Sequence, residues 1–437
     1  MKKKIIIVGA GHGGTVCGAL LAEQGFDVTV YEKAKRREAG HDQTDSFPLS
    51  CFDDAGIPRP PKNKCAPSCP ICYMNPSGTT SISMPPFDDS KPSNSVLDRK
   101  YLINYLIRYA EKKGVNFKFD TEVICPINDG KRVLGVTIKK GSRYSCVFAD
   151  LIIDSAGMDS PIRTRLPSSF GITATFDDDQ IFTCYRVFLE KTENFSPIEK
   201  YTVHLFHRGN PGISWVISER NYYDVLIGRF GSELTEENIS EALADFKEQY
   251  RGMGDKILRG GKVARIPIRR TVPLIVADGY AAIGDSAGMT IPIIGSGIGN
   301  SIRAAKYLAD AVLADETGSF TAAALWQYQY NYFTQIGNKL VIIDKLRSVC
   351  TKLTADDVDY LLDKKILSEN EFALSSAEIT IASIIQKVIK ALPKFAMLTN
   401  LTKTFLRHNT LKRVLAEIPE EYDEKTVADW ARQYEAL

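Results

Sequence analysis

IIIVGAGHGGTVCGALLAEQGFDVTVYEK, residues 5–33, decides the fold of this chain. Ile5 to Val8 is a short β-branched and apolar run, the pattern of a buried parallel strand. Gly9-x-Gly11-x-x-Gly14 follows at once. In such a loop the first glycine makes a tight turn, the second lets a pyrophosphate approach the backbone, and the third lets the next helix pack on the strand. The spacing predicts a helix from about Gly13 to Gln24, with its positive dipole end toward the phosphates. Gly25 stops it. Asp27 to Tyr31 reads as a second strand, and Glu32 stands at its end, where a carboxylate takes both hydroxyls of an adenosine ribose. That carboxylate would repel a 2′-phosphate, so FAD or NAD is expected here rather than NADP. Gly13 and Lys33 complete the candidate set in this segment. The lysines at 2–4 do not make this a secretory leader, because the apolar run is short and broken by glycine and His12.

A second glycine stretch, GYAAIGDSAGMTIPIIGSGIGNSIRAA, occupies residues 279–305. Tyr280 to Ile283 reads as a strand ended by Gly284 and Asp285. A carboxylate at that point suits the ribityl chain of a flavin. Pro292, Gly295 and Gly297 lead into a helix beginning near Ile298. Amides at such a helix start would face the pyrimidine edge of an isoalloxazine ring and favour its anionic reduced form. Paired with residues 5–33, this stretch makes FAD the expected cofactor.

In this order the motifs resemble the FAD fold of p-hydroxybenzoate hydroxylase-like enzymes, and within it the geranylgeranyl reductase family of FAD-dependent oxidoreductases. Two further segments carry the resemblance: Asp98-Arg99 opening DRKYLINYLIRYAEKKG, and ADLIIDSAGMDSPIR at 149–163. The resemblance implies that Arg99 contacts the flavin and that the backbone of Val123 meets adenine. It maps the family's Asp-Gly pair onto Ala156 and Gly157, a departure that counts against a monooxygenase-type nicotinamide site; Asp154 stands two residues too early to replace it. The stretch PGISW resembles a Gly-x-x-Trp segment of the same family, which makes Trp215 a candidate substrate wall, with plain sheet core as the alternative. Cys51 is a candidate on the same grounds, its alternative being a buried thiol packed as a small apolar residue.

The chain has 437 residues, 44% hydrophobic and 25% charged, with a net charge of +2. That balance fits a globular protein and gives no case for nucleic acid. No apolar run reaches membrane-spanning length. Nine cysteines with no leader point to free thiols in a reducing cytoplasm. The expected class is α/β: a discontinuous Rossmann-like FAD-binding domain at 1–174 and 271–330, with a loop insertion at 51–95. An antiparallel-sheet substrate domain fills 175–270 and a helical region 331–437. Cys65, Cys69 and Cys72 have a spacing that could hold an iron–sulfur cluster or zinc, or could be incidental; no metal is assigned. From Ile379 to Leu415 there are seven Lys or Arg and no acid. Ile384, Ile385, Val388, Ile389 and Leu392 recur there at helical spacing, a pattern that either packs on the protein or lies on a membrane.

The leading reading is an FAD-dependent reductase of C=C bonds in an apolar, isoprenoid or lipid-like substrate. No second dinucleotide motif is present, so electrons would come from transient NAD(P)H, a ferredoxin-like protein or a quinone. No catalytic acid or base stands out. Two rivals are an NAD(P)H- and oxygen-using monooxygenase, and a non-enzymatic prenyl or lipid carrier. The enzyme is expected in the cytoplasm, with peripheral membrane contact as an open alternative.

Overall fold

The computed structural model describes residues 2–84, 94–231, 233–366 and 408–437. The chain begins β1 (Lys4–Val8), α1 (His12–Glu23), β2 (Asp27–Tyr31), β3 (Thr44–Pro48), α2 (Ser50–Asp54), β4 (Ala66–Pro67), β5 (Ile71–Met74) and β6 (Ser81–Met84). It continues β7 (Asn94–Asp98), α3 (Arg99–Lys112), β8 (Asn116–Lys118), β9 (Glu122–Asn128), β10 (Val133–Lys140), β11 (Arg143–Phe148) and β12 (Leu151–Asp154). Next come β13 (Ile181–Lys191), β14 (Tyr201–Leu205), β15 (Ile213–Ser218), β16 (Tyr222–Phe230), α4 (Glu236–Gln249) and β17 (Met253–Pro267). The described remainder is β18 (Val276–Ala277), β19 (Tyr280–Ala282), α5 (Ile298–Ala314), α6 (Ala322–Tyr332), α7 (Asn338–Cys350), α8 (Ala355–Asp363), α9 (His408–Ala416) and α10 (Glu424–Glu435).

Ile5 to Val8 are all buried, as a strand covered on both faces requires. β1 lies at the centre of a six-stranded sheet ordered β18-β19-β12-β1-β2-β8. Its pairings with β2 and β12 are parallel, and β12 pairs parallel with β19. The sheet therefore takes its strands from residues 4–154 and again from 276–282. Helices α1 and α5 pack on it side by side, burying Val16, Cys17, Ile302, Ala305 and Leu308.

Residues between the two contributions, joined by β5 and β6 from the first, form a seven-stranded sheet ordered β17-β13-β16-β15-β14-β5-β6. Period-two alternation gives it two unlike faces. One face puts Val187, Val216, Val225 and Ile227 against Ala242 and Phe246 of α4. The other gathers Phe182, Cys184, Leu226, Phe230 and Ile268, with Trp215 and Ile266 half-buried among them.

Residues 55–95 read as irregular in sequence, yet β5 and β6 form a hairpin that extends this sheet. β5 runs parallel to β14, with Cys72, Tyr73 and Met74 opposite Thr202, Val203 and His204. The turn is built by Asn75, whose Oδ1 accepts the amides of Thr79 and Thr80 at 2.9 and 3.0 Å. Local prolines and serines mask this strand, because its partner lies more than a hundred residues downstream. The last helix, α10, is held by buried Arg270. Its guanidinium donates to Asp344 and to the carbonyls of Tyr434 and Glu435. The predicted amphipathic residues Ile384–Phe405 lie outside the described residues.

Candidate cofactor and substrate site

Helix ends show where an anion belongs. α3, α4, α6, α8 and α10 each carry a side-chain N-cap, from Asp98, Thr235, Thr321, Thr354 and Asp423. α1 and α5 begin after Gly11 and Gly297 with no side-chain acceptor for their first amides, as do α7 and the short α2, but only α1 and α5 follow glycine loops at strand ends. Such open N-termini are ready sites for phosphate and for electron-rich groups. The two helix heads meet: a Cβ on Gly13 would lie 2.7 Å from the Ser301 carbonyl and 2.9 Å from Ile283.

The first loop is tightly enclosed. Gly9 has φ +83°, and a Cβ there would meet the Ser155 carbonyl at 2.7 Å and Ala156 Cα at 3.0 Å. A Cβ on Gly14 would meet the Ser155 side chain at 2.5 Å and Ile7 at 2.9 Å. Gly11 also lies against Ser155, so its small size serves packing on the end of β12 as well as backbone access. Ser155 returns a contact of its own, its Oγ accepting the Gly14 amide at 3.3 Å. No motif in the sequence flags that serine. Glu32 accepts the amides of Ala10 and Ala34, both at 2.8 Å, which fixes its carboxylate beside the loop. Lys33 is exposed. Val123 is buried on β9, paired with Ile138.

Asp154 belongs to the fold. It is fully buried, accepting from Ser160 and Tyr280 hydroxyls at 2.5 and 3.0 Å and from the Ala156 amide at 3.2 Å. Burial raises its carboxyl above the ordinary range despite these bonds. Ala156 and Gly157 turn the chain after β12, Gly157 with φ +87°.

Arg99 joins the two halves. Its guanidinium lies 3.6 Å from Asp45, and its charge acts on His12, His41, Asp285 and Cys184. Burial, aided by Arg99 and His41, holds the His12 imidazole down at about 3. His12 Nε2 and Arg99 Nε are both buried with no hydrogen-bond partner. An anionic diphosphate cofactor supplies acceptors for such orphan donors, so these residues fit FAD. Asp285 sits in the turn before α5, and burial raises its carboxyl against the pull of Arg99. A Cβ on Gly297 would meet Thr290 at 2.9 Å and Asp285 at 3.2 Å. Pro292 and Ile298 are buried, while Gly295 at φ +70° approaches Ile266 of β17. Between them Ile293 is held at φ +75°, a region that β-branched residues avoid.

Ile266 carries the site onto the seven-stranded sheet. Trp215 shares its face, edge-on to Tyr201 and 5.3 Å beneath the Arg186 guanidinium. The indole Nε1 is buried without a partner. Arg186 and Asp224 form a buried ion pair at 2.5 Å, and Arg186 also donates to the Thr44 carbonyl and hydroxyl of β3. Sequence reading missed this pair; its one signal is charge placed on the inward register of apolar strands. Cys51 is fully buried on α2, and burial pushes its thiol up to about 12, so it packs as a small apolar group rather than a thiolate. Cys65 lies just before β4, Cys69 in the connection from β4 to β5, and Cys72 on β5. Among the described residues, no three His, Cys, Asp or Glu side chains group as a metal centre.

The sequence profile of the FAD binding domain family matches residues 2–332. The chain belongs to that family. It is an FAD-dependent oxidoreductase, as expected from its two glycine loops. A digeranylgeranylglycerophospholipid reductase of Sulfolobus acidocaldarius is 23% identical to it, over 99% of this chain and 96% of the relative. One of the same name from Methanococcoides burtonii is 26% identical over 82% of this chain and 86% of its own length. The crystal structure of a geranylgeranyl bacteriochlorophyll reductase-like protein from Thermoplasma acidophilum superposes with a TM-score of 0.74. It is 18% identical, over 92% of this chain and 99% of that one. A flavin-dependent brominase shares the fold at a TM-score of 0.60 and 15% identity, covering 93% of this chain and all of that one. Among the described residues, no helix is long and apolar enough to cross a membrane.

Proposed function

We propose that the chain reduces C=C bonds in the polyprenyl chains of an isoprenoid lipid. The observation that carries the reading is the junction at Gly295 and Ile266. There the uncapped head of α5 meets an apolar and aromatic sheet face that includes Trp215, Phe182 and Leu226. The names of the aligned relatives support the substrate class.

Bound and reduced, FAD would supply a hydride equivalent to one alkene carbon, with a proton from solvent completing the second C–H bond. The chain's residues hold and orient. Glu32 keeps a free lone pair on each carboxylate oxygen for the ribose hydroxyls. Gly9, Gly11, Gly13 and Gly14 bring α1 amides to the diphosphate, and His12 and Arg99 donate from buried positions. The Val123 backbone would meet the adenine of bound FAD, and Ala156 and Gly157 would help to hold the cofactor. Asp285 accepts from the ribityl chain. Pro292, Gly295, Gly297 and Ile298 would present α5 amides to the pyrimidine edge of a bound flavin, where partial positive charge would favour the reduced ring. Trp215 and its apolar neighbours exclude water from the alkene. The donor class stays as expected from sequence: NAD(P)H, a ferredoxin-like protein or a quinone.

The test is anaerobic turnover. Purified protein, reduced with dithionite, is mixed with a detergent-solubilised geranylgeranyl lipid and the product weighed by mass spectrometry. A gain of two hydrogens per reduced bond is expected. Unchanged lipid, with NADPH-driven oxygen consumption on aromatic substrates, would replace the reading with a monooxygenase. Protein that takes up no FAD would leave a carrier.

A further inference from the structure

We infer that the outer edge of β17 is a docking surface for an anionic phospholipid bilayer. The inference rests on the lipid-substrate reading and adds the route by which that substrate is reached. Among the described residues, β17 pairs only with β13 and closes one side of the seven-stranded sheet. Along it Ile257, Leu258 and Val263 are 53%, 44% and 49% exposed. Three large aliphatics at this exposure within seven residues of one edge form a patch rather than scattered surface apolars.

The strand's geometry disfavours a second strand as the occupant. Leu258 and Gly261 are extra residues in the ladder, where Phe188 and Leu189 face Arg259 and Ile257, and Arg186 and Val187 face Lys262 and Gly260. Such bulges twist an edge away from strand addition. Gly260 and Gly261 both sit at positive φ.

Charge supports a bilayer. From 253 to 267 the chain carries Asp255, Lys256, Arg259, Lys262 and Arg265. Asp255 is paired with Lys247, Arg259 with Asp42 and Asp98, and Arg265 with Asp159. Lys256 and Lys262 have no ion-pair partner among the described residues. Two free cations beside exposed aliphatics suit an anionic headgroup layer. The unpaired backbone groups of the edge need water or headgroups, so contact stays at interfacial depth.

Position supports it too. The same strand turns Ala264 and Ile266 toward the apolar face that holds Trp215, and Ile266 touches the Gly295 loop. Ile294 of that loop is itself 51% exposed. Ile257 and Val263 lie opposite Leu189 and Tyr185, on the α4 face of the sheet, so a lipid tail leaving a bilayer here would pass around the edge strand to reach the face of Trp215.

Vesicle co-sedimentation of the full FAD-loaded protein tests this. Mixed phosphatidylcholine–phosphatidylglycerol vesicles are compared with pure phosphatidylcholine. The parent is expected to prefer the anionic vesicles. Ile257→Ser/Leu258→Ser/Val263→Ser should bind them at least about fivefold less, with flavin content and turnover of detergent-solubilised lipid unchanged. Lys256→Glu should shift binding the same way by a smaller factor, and it decides the matter if the triple variant fails to fold. Three results would overturn the inference. The variants bind as the parent does. Binding is lost instead through Tyr144→Ser/Phe148→Ser, the exposed aromatics of β11. Or light scattering shows a parent dimer that the triple variant breaks, making the edge an interface between copies. Vesicle binding as expected without lipid turnover would count against the substrate reading alone.

Discussion

The cofactor half and the seven-stranded sheet of this protein are ordered by opposite means. Around residues 9–14 the fold works by absence: glycines at 9, 13 and 14 leave no room for a methyl group, and α1 and α5 lack side-chain caps. On the seven-stranded sheet it works by presence. Arg186 and Asp224 are buried as a pair between Trp215 and β3, and aromatic rings fill the wall. The difference teaches which half tolerates change. An anion site made of backbone is insensitive to side-chain identity except where a side chain would intrude. A wall made of side chains depends on each one's partner.

The largest expected effect breaks the wall. Arg186→Met leaves Asp224 charged, buried and unpaired, and should cost about 3–5 kcal/mol in urea unfolding. Arg186→Met/Asp224→Leu should recover much of that loss. A double variant no better than the single would show that the pair does more than balance charge.

Next comes acid. Burial, with His207 nearby, holds His204 at about 4, below its ordinary 6.5. Between those values the unfolded chain binds a proton that the folded chain refuses. Stability therefore rises with pH across the window and is lost as pH falls through it, by about 3 kcal/mol when complete. Unfolding curves at pH 4.5 and 7 should differ less in His204→Asn than in the parent.

In the cofactor half, Gly14→Ala drives a methyl into Ser155 and Ile7 and should cost about 1–3 kcal/mol, with flavin lost on gel filtration. If Gly14→Ala binds FAD normally, the loop is not held by Ser155 as described. Glu32→Gln keeps the outline but replaces one of the two acceptors of the Ala10 and Ala34 amides by an NH2 donor, besides weakening acceptance from ribose hydroxyls. FAD affinity should fall about tenfold, roughly 1.4 kcal/mol, with a melting temperature lowered by the one amide left unpaired. The smallest effect is Trp215→Phe. The indole N–H has no partner to lose, so stability should change by less than about 1 kcal/mol while KM for lipid rises.

Legibility in sequence follows the same division. Residues 5–33 and 279–305 announce strand, turn and helix because glycine spacing is dictated locally by the backbone. Their meeting at Gly13 and Ser301 follows once both are read as parts of one site. Ser155, Arg186, Asp224 and the β5 strand carry no such mark. Ser155 matters only because Gly14 lands on it. Arg186 looks like any surface arginine until β3 covers it. β5 finds its partner at Thr202–His204. These are tertiary facts, written in pairs of distant residues rather than in any window of the chain.

The pairing of β12 with β19 sets an order of events during synthesis. Asp154 cannot find its neighbour Ala282 until more than a hundred further residues have left the ribosome. Until then β12 has an open edge, and the head of α5 does not exist. Contacts so distant in sequence form late and slowly. The nascent chain should therefore capture FAD only as one of its last acts, after β19 and the head of α5 have joined the first glycine loop.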